Sequence, residues 1–470
     1  MAAATGQGKA QETPPNIVFI LIDDMGWRDL TCYGSGFYET PNIDRLAAEG
    51  MLFTDAYAAC PVCSPTRAAI MSGKYPARVG VTNYIGGHRE AALIDAPYTD
   101  HLPADEVSLA AGLREGGYST WHVGKWHLGG EEYWPQNHGF DENVAGCHMG
   151  HPWKGYFSPY QIPTLEDGPE GEYLTDRLTD ETVRLIENQP TDVPFYLNLW
   201  HYTVHTPIQA KPEDIAKYEQ KAKDMGIADL DPIEVGETFP FSQDPDHRVR
   251  RRKFQSHPVY AAMIDNLDQN IGRVFDALER TGRMDDTLIV FTSDNGGLAT
   301  SEGSPTCNAP LAEGKGWMYE GGTREPLLIR WPGRVEAGSS CDVPVTSTDF
   351  YPTLLEAAGL PPRPQQHVDG VSLMPLLSGG SKLDRDAIFW HYPHYGNQGG
   401  TPGCSVRMGD HKLIEFFEDG RLELYNLRED ISEEQDLAAT HPRTAGELHD
   451  RLVQWRQSVE ALVPERNPDW

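Results

Sequence analysis

The stretch that most constrains the fold is Asn16-Ile17-Val18-Phe19-Ile20-Leu21-Ile22, an unbroken apolar, β-branched run closed by Asp23-Asp24-Met25-Gly26-Trp27. A run without polar alternation suits a strand buried on both faces, as in sheets layered between helices. The two adjacent carboxylates that follow repel each other unless a cation lies between them. In open α/β sheets this strand end is also where ligands bind. Asp is common in turns after strands, so a plain turn is the competing reading. Directly after so apolar a strand, the pair points to metal binding.

The pattern returns along the chain. Pro194 to Trp200 is a second buried run, followed by His201-Tyr202-Thr203-Val204-His205-Thr206-Pro207. Asp286 to Ser293 is a third, and it ends in Asp294-Asn295-Gly296-Gly297, again oxygen ligands, with glycines that permit a tight turn. Shorter strands are expected at Leu52 to Tyr57 and Leu327 to Trp331. Helical segments alternate with them: Thr40 to Gly50, with Pro in its first turn and Gly at its end, then Ser108 to Gly117, Glu172 to Asn188 and Asp349 to Gly359. In Pro258 to Arg280, Tyr260, Ile264, Leu267, Ile271, Val274 and Leu278 recur at helical spacing.

Such alternation predicts an α/β fold, a large doubly wound, mostly parallel sheet with helices on both faces. Past the link Pro361-Pro362-Arg363-Pro364 the pattern turns to short strands at 387–392, 405–408, 412–417 and 421–425, then a helix from about Arg443 to Leu462. That predicts a small C-terminal antiparallel sheet with a helix, and a division into a catalytic domain over 14–362 and a subdomain over 363–470. Residues 209–256 are polar and irregular, suggesting an insertion or lid. Its basic run, Arg248-Val249-Arg250-Arg251-Arg252-Lys253, is expected to be a solvated helix start, with an anion-recruiting patch as the alternative.

The net charge of −31, from 70 acidic against 39 basic residues, argues against nucleic acid or an anionic membrane as partner. An anionic substrate would need a locally positive pocket. No apolar run approaches a membrane span. The start, Met1 to Ala10, lacks the hydrophobic centre of a signal peptide, which leaves a cytoplasmic protein or one whose leader has been removed. The seven cysteines, at 32, 60, 63, 147, 307, 341 and 404, show no metal-finger spacing. The six besides Cys63 permit disulfides without demanding them.

One further stretch, Cys60-Pro61-Val62-Cys63-Ser64-Pro65-Thr66-Arg67, leads into Ala68-Ala69-Ile70-Met71-Ser72-Gly73-Lys74. On local chemistry it is a turn into a helix, with Cys63 a small buried residue. Its Cys-x-Pro-x-Arg core and tail together resemble the maturation signature of type I sulfatases, with Thr66 where Ser is usual and Lys74 where Arg is usual. Gly124-Lys125-Trp126-His127-Leu128-Gly129 resembles a second signature of that family, and the run from Lys315 to Pro326 a further one. Lys125 and His127 would point to the same side if the strand continued through them. The family carries a His-x-Pro after the strand that ends at Trp200, which matches His205 rather than His201. With the Asp23-Asp24 and Asp294-Asn295 pairs these matches fall in family order, and the chain resembles a type I, formylglycine-dependent sulfatase of the alkaline phosphatase superfamily.

The resemblance implies a sulfuric ester hydrolase in which Cys63 is converted to formylglycine by a formylglycine-generating or anaerobic sulfatase-maturating enzyme. One hydroxyl of the hydrated aldehyde would attack sulfur, and the second would lose its proton to expel sulfate. Arg67 would steady the diol, His127 would be the base for elimination, and Lys125, His205 and Lys315 would neutralise sulfate and assist the leaving oxygen. Asp23, Asp24, Asp294 and Asn295 offer hard oxygen ligands, which favours calcium, with magnesium second, over zinc. The ion would also contact the nucleophile at residue 63. His151, His391, His394 and Arg407 are the candidates for substrate contacts. A sulfated saccharide is the expected substrate. The alternatives are a broad arylsulfatase, a phosphoester or phosphonate hydrolase of the same superfamily, and a catalytically dead glycan binder. A periplasmic or secreted location follows from the resemblance.

Overall fold

The apolar runs form the central strands in the computed structural model, which describes residues 14–470. The expected absence of a leader over the first ten residues lies outside the described residues. The strands are β1 (Asn16–Ile22), β2 (Met51–Tyr57), β3 (Leu93–Ile94), β4 (Ser119–Gly124), β5 (Glu142–Val144), β6 (Phe195–Trp200), β7 (Ile233–Thr238), β8 (Arg248–Arg252) and β9 (Thr287–Ser293). They continue with β10 (Arg324–Arg330), β11 (Ser339–Cys341), β12 (Val345–Thr346), β13 (Ile388–Tyr392), β14 (Gly403–Met408), β15 (His411–Phe416), β16 (Leu422–Asn426) and β17 (Glu465–Arg466).

The large sheet has the order β11-β2-β10-β9-β1-β6-β4-β5, with β12 also on β2. Its central strands β9, β1, β6, β4 and β5 are parallel, and β10 alone runs against its neighbours. Successive β1 side chains alternate between two cores. Val18, Ile20 and Ile22 pack under the helices Pro41–Glu49, Leu174–Asn188 and Pro258–Arg280, whereas Ile17, Phe19 and Leu21 pack under Cys63–Ser72, Leu109–Glu115 and Phe350–Ala357. This is the doubly wound, mostly parallel architecture expected from the sequence.

Three local expectations are corrected. Strand β4 ends at Gly124, so Lys125 and His127 lie in the following loop rather than on one strand. Residues 209–256 are ordered as the helix Pro212–Asp224 and the antiparallel hairpin β7–β8. The basic run at 248 is a strand: Val249, buried beside Phe239 and Trp317, and Arg251, over Trp317, share one face, and the residues between them take the other. All seven cysteines are free thiols.

The second sheet, β13-β14-β15-β16, is antiparallel throughout. One face carries the helix Pro442–Ser458 through Leu448, Leu452 and Trp455. The other packs on Tyr57, Cys60, Val62 and Met318, immediately behind the Cys63 loop, and Trp390 Nε1 donates to the Ala58 carbonyl at 2.8 Å. A buried clamp of charges joins the two sheets: Lys412 lies 2.9 Å from Glu320 and 3.0 Å from Glu433, Arg324 meets Glu320 at 2.6 Å, and Arg407 meets Asp55 at 2.6 Å.

Candidate active site

Four neighbouring parallel strands deliver their carboxyl ends to one edge: β9 gives Asp294-Asn295, β1 gives Asp23-Asp24, β6 gives His205 and β4 gives Lys125. Because β10 is reversed, its beginning lies at the same edge, and the segment leading into it supplies Lys315. The close approach here demands glycine: a Cβ on Gly296 would lie 1.8 Å from the Gly321 carbonyl oxygen. Cys63 opens the helix Cys63–Ser72, whose amide ends favour an anion in front of them. Thr66 closes the preceding loop, its hydroxyl donating to the Cys60 carbonyl at 3.0 Å and accepting from the Cys60 amide at 3.2 Å.

The charges interlock. Lys125 Nζ donates to Asp23 at 2.7 Å and Lys315 Nζ to Asp24 at 2.8 Å. Arg67 Nε donates to Asp294 at 2.8 Å, its Nη1 donates to the Lys125 carbonyl at 2.8 Å, and the guanidinium lies 5.3 Å from the Trp200 ring. Asn295 Nδ2 donates to Asp24 Oδ1 at 2.8 Å. Burial opposes the Asp24 charge, but Lys315 prevails and holds that carboxyl well below the usual range. Burial would likewise strip Lys315, yet Asp24 keeps it firmly charged. Burial pushes Asp23 up, opposed by Lys125 and reinforced by Asp294 and Asp24.

Cys63 Sγ lies 3.4 Å from His127 Nδ1. His127 Nε2 is 3.3 Å from the Ile85 carbonyl, which can only accept, so the proton resides on Nε2 and the Nδ1 lone pair faces residue 63. Burial, then the charges of Lys125 and Arg67, keep this imidazole neutral. The ring fits because residue 150 is glycine: a Cβ there would meet His127 Cε1 at 2.6 Å. His205 Nε2 lies 3.6 Å from Asp24, and burial with the Lys315 charge lowers its pKa to about 3. Burial raises the Cys63 thiol, against the pull of Lys125 and Lys315.

Does this donor set suit a divalent cation? Asp23, Asp24 and Asp294 are fully or almost fully buried, and Asp23 Oδ1 and Asn295 Oδ1 have no hydrogen-bond donor. Oxygens of Asp23 and Asp24 also come within 4.8 Å of a His205 ring nitrogen. Buried carboxylate and amide oxygens held together, two of them left without donors, fit a hard cation.

Cys63, His127, His205 and Lys315 open onto a cavity of about 280 Å3, which His151 also lines, stacked on His205 with ring centroids 5.5 Å apart. Arg67 and Lys125 sit beneath it, fully buried. His201 is buried away from it, with both ring nitrogens unbonded. Three expected substrate contacts are corrected. His391 donates from Nε2 to the Leu462 carbonyl at 2.8 Å, inside the second sheet. His394 is buried between Asp95 at 2.6 Å and Thr82 at 2.9 Å. Arg407 belongs to the inter-sheet clamp, bonded to Asp55 and the Tyr57 hydroxyl. Each is held by a partner distant in sequence, so none reaches the cavity.

Sequence reasoning missed Glu302, which lines the cavity and accepts from Asn397 at 2.7 Å, and the rim residue Trp153, which is 58% exposed. Glu302 lies in a Ser-Glu-Gly-Ser loop without periodicity; Trp153 carried a signal, an aromatic two residues past the candidate contact His151. Glu325 was also missed. It is buried at the start of β10, with both oxygens unbonded, and burial, then Asp294 and Asp24, push its carboxyl up.

Fold and site together define a class: a doubly wound α/β protein that sets a helix start, two lysines and a carboxylate cluster at one strand edge beside a cavity. The sulfatase family model matches residues 15–360, and the model of the N-sulphoglucosamine sulphohydrolase C-terminal region matches residues 313–458. A sulfatase of Formosa agariphila is 33% identical over 94% of this chain and 88% of its own. The N-acetylgalactosamine-6-sulfatase of Homo sapiens is 33% identical over 85% of this chain and 71% of its own. The crystal structure of Ps i-CgsB in complex with k-i-k-neocarrahexaose superposes with a TM-score of 0.76 at 30% identity, covering 94% of this chain and 93% of that one. The chain belongs to the sulfatase family, within the alkaline phosphatase superfamily, and is a sulfuric ester hydrolase.

Proposed function

We propose that the protein removes sulfate from a sulfated saccharide, with residue 63 acting as formylglycine and with bound calcium. The observation that carries this reading is the position of Cys63: at a helix start, on a cavity floor, beside a neutral His127 and Lys315, above a buried oxygen cluster. The saccharide nature of the substrate is supported by the exposed Trp153 at the rim, an aromatic face suited to stacking on a sugar ring. It is supported too by relatives whose names specify N-acetylgalactosamine 6-sulfate and by a neighbour bound to a carrageenan hexasaccharide.

Asp23, Asp24, Asp294 and Asn295 would hold the calcium. When bound, it supplies Lewis-acid polarisation of a sulfate oxygen. The formylglycine hydrate supplies a hydroxyl nucleophile and a second hydroxyl for releasing sulfate. The rest of the chemistry is assigned to ordinary side chains. His127 accepts a proton at Nδ1 from the group on residue 63. Lys315 and Lys125 offset charge on the sulfate oxygens, and His205 serves the departing alcohol oxygen. Arg67 acts through Asp294 and the Lys125 carbonyl, fixing the floor on which residue 63 stands. The division into a catalytic domain over 14–362 and a subdomain over 363–470 is part of the same proposal.

Two measurements test this. Peptide mass across residue 63, in protein produced with a maturase, should show loss of the thiol sulfur and gain of an aldehyde and its hydrate. Turnover of sulfated oligosaccharides should exceed that of the matching phosphate esters. An unmodified thiol in protein that still turns over, or a preference for phosphate esters, overturns the reading.

A further inference from the structure

Beside the catalytic cavity lies a second and larger one of about 590 Å3, and Glu302 and Asn397 line both. The strand β8 builds its wall. Arg248, Arg250 and Arg252 lie at alternate positions and line this groove together. Arg251, on the opposite face, is matched to Glu237 and Glu313, each at 2.7 Å. Arg252 is also satisfied, by the Ser304 carbonyl and the Ser256 hydroxyl. Arg248 and Arg250 are exposed, and among the described residues neither has a carboxylate at ion-pair distance; Arg248 donates only from Nε, to the Gly236 carbonyl at 2.6 Å. Arg89 reaches in from another loop, its guanidinium 4.4 Å from the Phe241 ring and its buried Nε without an acceptor.

In a chain where acidic residues outnumber basic ones 70 to 39, Arg89, Arg248 and Arg250 bring three guanidinium groups without a carboxylate at ion-pair distance, among the described residues, into one groove that adjoins the Cys63 cavity. Guanidinium groups pair bidentately with sulfate and carboxylate. The rings of Phe239, Phe241 and His247 line the same groove and offer apolar faces to sugar rings.

We propose that this groove binds the anionic groups of the part of an oligosaccharide that extends beyond the sulfate being removed. The proposal rests on the sulfatase reading and narrows its substrate class to a polyanionic oligosaccharide. The junction sets a further condition. Glu302, held by Asn397, Gln398 and Thr206, places a carboxylate between the two cavities. It repels an anion and accepts from hydroxyls. The substrate therefore carries anionic groups on both sides of Glu302 and a hydroxyl-bearing stretch against it.

Calorimetric binding of heparin, chondroitin sulfate and carrageenan tetrasaccharides to the matured enzyme tests this, with the double variant Arg248→Ser/Arg250→Ser beside the wild type. Arg443→Ser, on the exposed face of the last helix, controls for loss of charge alone. We expect at least one tetrasaccharide to bind the wild type about tenfold more tightly than the double variant. Arg443→Ser should bind like the wild type. In turnover of that tetrasaccharide the loss should fall on KM, with hydrolysis of a monosaccharide sulfate unchanged. Equal binding by wild type and double variant, or no binding of any tetrasaccharide by either, overturns the groove. Arginine-dependent binding without release of sulfate from any of the three overturns the proposed sulfated-saccharide substrate and leaves the groove standing.

Discussion

Two buried clusters in this chain have the same charge composition and different fates. At the catalytic edge Asp23, Asp24 and Asp294 meet Arg67, Lys125 and Lys315; between the sheets Asp55, Glu320 and Glu433 meet Arg324, Arg407 and Lys412. In the clamp the basic groups are matched to carboxylates of other elements, and the cluster is closed off from the catalytic cavity. At the strand edge Lys315 lines that cavity together with Cys63, which no clamp residue does. Charge density therefore does not mark a site. Access to the cavity does.

Substitutions should separate the two clusters, beginning with the largest effect. Cys63→Ala is expected to lower kcat/KM about a thousandfold or more with little change in thermal midpoint. Substantial residual turnover would remove residue 63 from the chemistry. In the clamp, Lys412→Met leaves Glu320 and Glu433 buried without their shared cation and should destabilise by about 3–5 kcal/mol in denaturant titration. The folded fraction should keep kcat/KM within about twofold of wild type, and a large catalytic loss would erase the distinction drawn here. Lys315→Ala should reverse that pattern, costing about a hundredfold in kcat/KM and less stability than Lys412→Met. Chelation should lower both turnover and thermal midpoint, and calcium at 100 times its Kd should restore about 2.7 kcal/mol. An unchanged midpoint under chelation would leave the carboxylate cluster without its proposed ion.

The smallest effect concerns pH. Burial, with the Glu320 charge adding to it and Lys412 opposing, pushes Glu433 up to about 7, from an unfolded value near 4.5. Its protonated form is favoured in the fold. Its contribution is thus complete below about pH 4.5 and is lost as pH rises toward 7. Glu433→Gln keeps an acceptor for the Glu320 amide and should flatten stability over that window relative to wild type. Parallel pH profiles would show that Glu433 is ionised throughout.

Part of the proposed catalytic edge was legible from the residues alone, because Asp23-Asp24 and Asp294-Asn295 sit at the ends of apolar runs and a parallel sheet gathers such ends; Cys63, Arg67 and Lys315 came from the family resemblance. Asp23 and Asp294 needed only backbone direction to be placed, whereas His205 was matched through the family's His-x-Pro. Lys125 and His127 arrived by another route than expected, a loop after Gly124, yet at the same destination. His391, His394 and Arg407 were misplaced because their partners, Leu462, Asp95 and Asp55, lie far along the chain. No local pattern encodes such a pairing. The strand at 248 was mistaken for a helix start because four arginines in six residues hide the single apolar Val249 that anchors it.

The helix behind Cys63 has a consequence in time as well as space. Every one of its ten residues is buried, and Cys63 itself is 3% exposed. Once the second sheet has closed behind the loop, no modifying enzyme can grip the Pro65 and Arg67 side chains that flank the thiol. On the proposed conversion, maturation and folding compete for one newly made segment. The yield of working enzyme is then decided by kinetics: a chain that folds too soon is stable, correctly shaped and inert.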